Sequence, residues 1–93
     1  MKGTLLSSIA ASAVVKASQG RLLNAVLAAG SDTATLIIYD DPDSADGTVL
    51  LELSAVANTT ASVEFTDRTA RLASTGLYAA LTGTAPRATI GYE

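Results

Sequence analysis

The region 33–53 constrains the fold of this chain more strongly than any other part. Two apolar runs of strand length, at 36–39 and 49–53, flank a turn at 40–47 that is rich in Asp and contains one Pro and one Gly. This order predicts a strand, a loop and a second strand. The first run presents apolar side chains to both faces of its sheet, whereas a half-buried strand would alternate with polar residues. In so short a chain, we expect another copy of the protein to cover the second face.

Size and composition limit how the chain can be stabilised. Its 93 residues suffice for one domain, which buries roughly 60–65% of its unfolded surface. The sequence contains no Cys and no His, which excludes disulfides, thiolate metal sites and the commonest general base. Oligomerisation remains as a source of further buried area. We therefore predict a single β-sandwich domain over 1–93 that forms a homo-oligomer, in which residues 1–12 could extend as an N-terminal arm.

The charge distribution argues against two classes of partner. The formal net charge is −3 and the six basic residues are scattered, whereas a nucleic-acid site needs clustered Lys and Arg. No apolar run approaches the roughly 18–20 residues that a membrane helix requires. Because 48% of the residues are hydrophobic and only 16% are charged, the excess apolar surface points to protein interfaces. We expect neither nucleic acid nor membrane as a partner.

Turn residues divide the chain into short apolar segments at spacings near ten residues, which is typical of an all-β sandwich or barrel. The segments that we predict as strands are 4–9, 13–17, 21–29, 34–39, 48–54, 61–65, 70–73, 77–81 and 88–92. The segment 21–29 is also compatible with a helix, because its apolar residues follow a helical spacing and it is rich in Ala. We favour a strand there, since Gly20 and Gly30 bracket a short segment.

The predicted strand pair contains our candidates for the contact between copies. Residues at every second position of a strand share one face. On this basis we predict that the interface includes Leu36, Ile38, Leu51 and Leu53. The period of two does not decide which of the two alternate sets faces inward.

The acidic turn is the densest cluster of oxygen ligands in the sequence. Asp41, Asp43 and Asp46 are weak candidates for calcium, which takes six to eight oxygens from such loops. The spacing departs from the EF-hand pattern, since Ala45 occupies the fifth position and Asp46 stands where Gly belongs. We therefore favour a solvated hairpin loop in which Gly47 permits a positive φ.

Two other groups of residues suggest chemistry. Glu52 and Glu64 could form a glycosidase-like carboxylate pair, but both occupy solvent-side positions of predicted strands. Tyr39, Tyr78 and Tyr92 could form a platform for stacking sugar rings, although tyrosines at strand ends more often serve as core edges or interface anchors. The sequence therefore predicts no catalytic residue.

Several strand and turn signatures follow one another along the chain. They are Lys16-Ala17-Ser18, Gly20-Arg21-Leu22, the run 34–40, Gly47-Thr48-Val49-Leu50, Thr75-Gly76-Leu77-Tyr78 and Thr82-Gly83-Thr84-Ala85. In this arrangement the chain resembles small virion structural proteins of tailed bacteriophages, including cyanophages. The resemblance extends over nearly the whole chain and concerns strands and turns rather than catalytic motifs. It implies a jelly-roll-like β-sandwich of about eight short antiparallel strands.

The resemblance also implies a role. Proteins of this kind decorate or cement the capsid surface of the virion, often as trimers, and join neighbouring capsomers of the major capsid protein through many weak contacts. It implies no enzymatic activity, no cofactor and no transferable site residue. The alternative from another class is a carbohydrate-binding or adhesive module, such as part of a phage fibre.

Overall fold

The computed structural model describes residues 5–65 and 71–93, and within them the chain forms nine strands and no helix. The strands are β1 (Leu5–Ile9), β2 (Ala13–Lys16), β3 (Gly20–Ala28), β4 (Ala34–Asp40), β5 (Thr48–Ala55), β6 (Thr60–Glu64), β7 (Arg71–Ala73), β8 (Leu77–Thr82) and β9 (Arg87–Tyr92). The all-β prediction is confirmed, and the segment with helical spacing is strand β3. β6 and β7 pair with successive parts of β3, at 24–28 and 20–22. They therefore share one strand position, and the nine strands fill eight positions in the fold.

The strands form two antiparallel sheets with jelly-roll connectivity. The first sheet has the order β1-β9-β3-β6, with β7 also paired to β3, and the second has the order β2-β8-β4-β5. The chain crosses between the sheets at most connections, and β4 and β5 form a hairpin within the second sheet. The fold therefore corresponds to one long antiparallel ribbon that is folded over on itself. The acidic turn lies at the tip of this ribbon.

The core lies between the two sheets and consists of apolar side chains from alternate strand positions. The largest fully buried side chains are Leu22, Leu27, Leu36, Ile38, Leu77 and Ile90. Burying a side chain of this size contributes about 1.5–3 kcal/mol. Buried Ala residues fill the positions between them, and no polar side chain of the described residues is buried. Apolar packing between two sheets is thus the main source of stability.

Two of the local predictions concern the N-terminal arm and Gly47 in the acidic turn. Residues 5–9 of the predicted N-terminal arm form β1, which pairs with β9 at one edge of the first sheet; residues 1–4 lie outside the described residues. The expected positive φ at Gly47 is wrong, since the left-handed residues among those described are Asn58, Gly83 and Ala85. A Cβ at position 47 would instead collide with the carbonyl oxygen of Asp40, so a close backbone approach requires the glycine.

Candidate functional site

The four predicted interface residues all lie on the inner face of the second sheet. Leu36 and Ile38 have no exposed area. Leu53 and Leu51 stand opposite them on β5 and are half-buried against the core. The first sheet of the same chain covers this face. A contact between copies would therefore use the alternate set of β4 residues, which faces outward.

That alternate set belongs to a row of apolar side chains across all four strands of the second sheet. Tyr39 on β4 is directly opposite Tyr78 on β8. Tyr78 is in turn opposite Val14 on β2, and Tyr39 is opposite Val49 on β5. Directly paired residues of neighbouring strands place their side chains on the same side of a sheet. The two tyrosines are half-buried, while Val14 is 44% and Val49 52% exposed.

A second row lies beside the first on the same outer face. Ile37 pairs with Ala80 on one side and with Glu52 on the other. Both apolar residues are half-buried, since their neighbours on the sheet cover only part of them. Together the two rows form what we call the tyrosine face: Val14, Ile37, Tyr39, Val49, Tyr78 and Ala80.

The composition of the tyrosine face resembles that of a protein interface. It is aromatic and aliphatic, and Glu52 at the β5 rim is the one charged residue in the two rows. Cores of protein interfaces are depleted in charge and enriched in aromatic residues. No strand of the described chain lies over this face, because the other sheet packs against its opposite side.

The third tyrosine of the predicted sugar platform lies elsewhere. Tyr92 on β9 pairs with Leu22 and packs against the core from the first sheet. The fold therefore brings Tyr39 and Tyr78 together on one surface and separates Tyr92 from them. The alternation of β4 indicates that Tyr39 and Ile37 share a face, but nothing in the local sequence pairs Tyr39 with Tyr78, which is 39 positions away.

The outer face of the first sheet mixes polar side chains with three exposed apolar ones, Leu6, Val26 and Leu72. Asn24 pairs with Glu64, and Val26 pairs with Ser62. These residues, with Val63, line an open depression of about 340 Å³. Glu64 thus lies on the outer face of the first sheet, whereas Glu52 lies on the outer face of the second. The two carboxylates point away from each other and do not form a catalytic pair.

Hydrogen bonds within the acidic turn use two of the three candidate calcium ligands, the carboxylates of Asp41 and Asp46. Oδ1 of Asp41 accepts hydrogen bonds from the amides of Asp43 and Ser44, both at 3.0 Å. Hydrogen bonding from the Asp43 amide lowers the pKa of Asp41. The hydroxyl of Ser44 donates to Oδ2 of Asp46 at 3.1 Å. Within the described residues, no group of three or more acidic side chains is arranged to hold a metal ion.

The acidic turn is also fastened to the connection between β7 and β8. The amide of Thr75 donates to Oδ1 of Asp40 at 2.9 Å, and the hydroxyl of Thr75 donates to the same oxygen at 3.0 Å. The bond from the Thr75 amide is the main cause that lowers the pKa of Asp40. A Cβ at Gly76 would lie only 2.7 Å from Cα of Pro42. The tip of the ribbon is therefore packed against the sandwich rather than projecting freely.

The same end of the sandwich carries an ion pair, since Gly20 approaches both Lys16 and Glu93, and Gly76 approaches both Lys16 and Pro42. Arg21 and Glu93 exchange backbone hydrogen bonds of 2.9 and 3.0 Å, and the Arg21 guanidinium also pairs with the Glu93 carboxylate. A surface depression of about 350 Å³ lies beside them, lined by Lys16, Gln19, Gly20 and Leu72 as well as the pair itself. The Arg21 guanidinium and the Glu93 carboxylate are paired with each other, and Lys16 adds a further positive charge to the lining.

No family model matches the chain, and no curated protein or solved structure matches it. Among the described residues there is also no helix long and apolar enough to cross a membrane.

Proposed function

We propose that this protein is a non-enzymatic virion structural protein, of the kind that decorates or cements a bacteriophage capsid. The observation that carries the proposal is the tyrosine face, a charge-poor apolar surface that no strand of the described chain covers. A surface of this kind on a rigid sandwich serves association with another protein rather than chemistry. The separation of Glu52 from Glu64 supports the same view, since it removes the best candidate for a catalytic pair.

The jelly-roll connectivity supports the virion role by analogy. This architecture recurs in viral capsid and lectin domains, because two packed sheets form a rigid platform with few flexible elements. The analogy concerns the fold, and one fold can serve several functions. The resemblance of the strand and turn signatures to phage structural proteins selects the capsid among these functions.

The test is binding to heads of the phage whose genome encodes the chain. Purified heads that lack the protein are mixed with increasing amounts of it and sedimented. We expect saturable co-sedimentation at a fixed ratio to the major capsid protein, and heads that resist heat better once they are saturated. Absence of the protein from purified virions by mass spectrometry, together with no co-sedimentation, would contradict the proposal.

A carbohydrate-binding module is the second candidate, and the pair of Tyr39 and Tyr78 favours it. Adjacent aromatic faces can stack on a sugar ring while their hydroxyl groups contact its edge. A glycan array distinguishes the candidates. Specific glycan binding that is lost in Tyr78→Ala and kept in Tyr92→Phe would favour the lectin-like role over the capsid role.

A further inference from the structure

We propose that the tyrosine face binds the same face of a second copy, so that the two second sheets pack face to face about a twofold axis. This inference rests on the association role proposed above, and it names the occupant of that surface. The resulting dimer has four sheet layers, and its two outermost faces are the outer faces of the first sheets.

The tyrosine face is suited to contact with a copy of itself because it carries almost no charge. Face-to-face packing of two apolar sheets is a stable arrangement within domains, where the sheets lie about 10 Å apart. The same packing between copies would bury the outward part of Ile37, Tyr39 and Tyr78. A twofold axis parallel to the strands places β5 of one copy over β2 of the other. This arrangement keeps the two Glu52 carboxylates at opposite rims, so like charges are not brought together.

The dimensions of the molecule fit such a contact. The chain is a slab of 36 × 26 × 17 Å, and the second sheet with its rims occupies one broad side. A plane of 36 × 26 Å amounts to about 900 Å², whereas a standard interface buries roughly 800 Å² on each partner. Most of one broad side is therefore needed. The contact would extend beyond the two apolar rows to the neighbouring polar row of Thr35, Ser54 and Thr82, and no other described strand lies over this side.

A twofold arrangement fits the surface better than a ring. In a ring, the tyrosine face of one copy would meet a different surface of the next copy. The other broad side presents Asn24, Ser62 and Glu64 beside the exposed Leu6 and Val26. Its polar groups would lose water against an apolar partner without gaining hydrogen bonds. In a twofold dimer, apolar rows meet apolar rows on both copies. The geometry thus points to a dimer rather than to the trimer that the phage resemblance implies.

The experiment measures native mass by sedimentation velocity over a range of protein concentrations. The wild-type chain is expected to sediment at about 19 kDa, twice 9.4 kDa, at tens of micromolar. Val14 and Val26 form a matched pair of test sites, since both are outward strand valines, 44% and 40% exposed, on opposite broad sides. Val14→Asp is expected to weaken dimerisation at least tenfold, because it places a carboxylate inside the apolar contact. Val26→Asp should leave the dissociation constant unchanged.

A second variant on the same face, Ile37→Asp, keeps the test decisive if Val14→Asp does not fold. Far-ultraviolet circular dichroism and a cooperative thermal transition identify the variants that do fold. A wild-type monomer at 100 µM, a trimer of about 28 kDa, or a dimer that survives both Val14→Asp and Ile37→Asp would each overturn the proposal. Co-sedimentation with phage heads is scored separately. A wild-type monomer that still binds heads would refute the dimer and leave the capsid role standing.

Discussion

Ile37 and Ile38 are neighbours in β4, yet they lie on opposite sides of the second sheet. Ile38 has no exposed area and stands opposite Leu51 in the core. Ile37 stands opposite Ala80 on the tyrosine face and is half-buried. Their side chains have the same size and chemistry, so the difference between them lies entirely in what covers each face.

The same substitution should therefore lower the free energy of unfolding by different amounts at the two positions. Ile38→Ala should lower the free energy of unfolding by about 2–5 kcal/mol, since it removes buried methyl groups and leaves a cavity. Ile37→Ala should lower it by less, about 1–2 kcal/mol under conditions in which the chain is monomeric, because Ile37 is only half-buried and its loss leaves no closed cavity. Urea unfolding at low micromolar concentration measures both. Equal decreases in the free energy of unfolding would contradict the assignment of Ile38 to the core and Ile37 to the outer face.

Introducing a charge at the inner position should have a stronger effect. Ile38→Asp buries a carboxylate without a partner, and we expect it to abolish cooperative folding. The loss of oligomers in this variant would follow from the loss of the fold. Ile37→Asp is the matched control, and its far-ultraviolet circular dichroism spectrum should remain that of a folded β protein.

Packing on the outer face of the first sheet predicts a compensating pair of substitutions at Asn24 and Gly91. A Cβ at Gly91 would lie 2.5 Å from Oδ1 of Asn24. Gly91→Ala should therefore destabilise the protein by about 1–3 kcal/mol through overpacking. In the Asn24→Ala background, the same substitution should cost clearly less, because the obstructing amide is absent. A double-mutant cycle of thermal unfolding measures the coupling, and additive losses would argue against this contact.

The hydrogen bonds at Asp40 predict a defined dependence of stability on pH. They favour the charged carboxylate, so the pKa of Asp40 is lower in the folded state than the ordinary value of 3.8. The stabilisation is therefore fully present above that ordinary value and is lost as the pH falls through the folded value. We expect Asp40→Asn to lower the Tm at pH 7, and the gap to the wild type to close below about pH 3.8.

The control for this experiment is Asp43→Asn, which removes a nearby exposed charge but keeps the hydrogen bonds between Thr75 and Asp40. Its Tm should stay close to that of the wild type at pH 7. An equal decrease in Tm in both variants would show that the effect comes from the change in net charge and not from the hydrogen bonds between Thr75 and Asp40.

Calcium should not stabilise the protein. The carboxylates of Asp41 and Asp46 already accept hydrogen bonds within the turn. No described cluster of acidic side chains offers the six to eight oxygens that calcium requires. We expect the same Tm in 5 mM calcium chloride and in a chelator. A rise in Tm that saturates with calcium would show a site in the acidic turn, and would favour the adhesive role over the capsid role.

The sequence by itself was sufficient to determine the class of the fold and the approximate extent of each strand. Strand length, turn residues and the period of two are local properties, so the strands at 34–39 and 48–54 could be located without knowledge of their neighbours. The same local signals were ambiguous at 21–29, where Ala and Leu also favour a helix. Strand β3 forms there because β9 pairs with it on one side and β6 and β7 on the other.

Only the tertiary structure decided which side of each strand faces the core. The sequence indicated that β4 is apolar on both faces, but Leu36 and Ile38 became core residues only because the first sheet packs against their side. Tyr39 and Tyr78 became neighbours only through the pairing of β4 with β8, which joins distant parts of the chain. The alternation of side chains along a strand defines two faces but does not say which of them is buried. Burial depends on contacts with residues that are distant in the sequence.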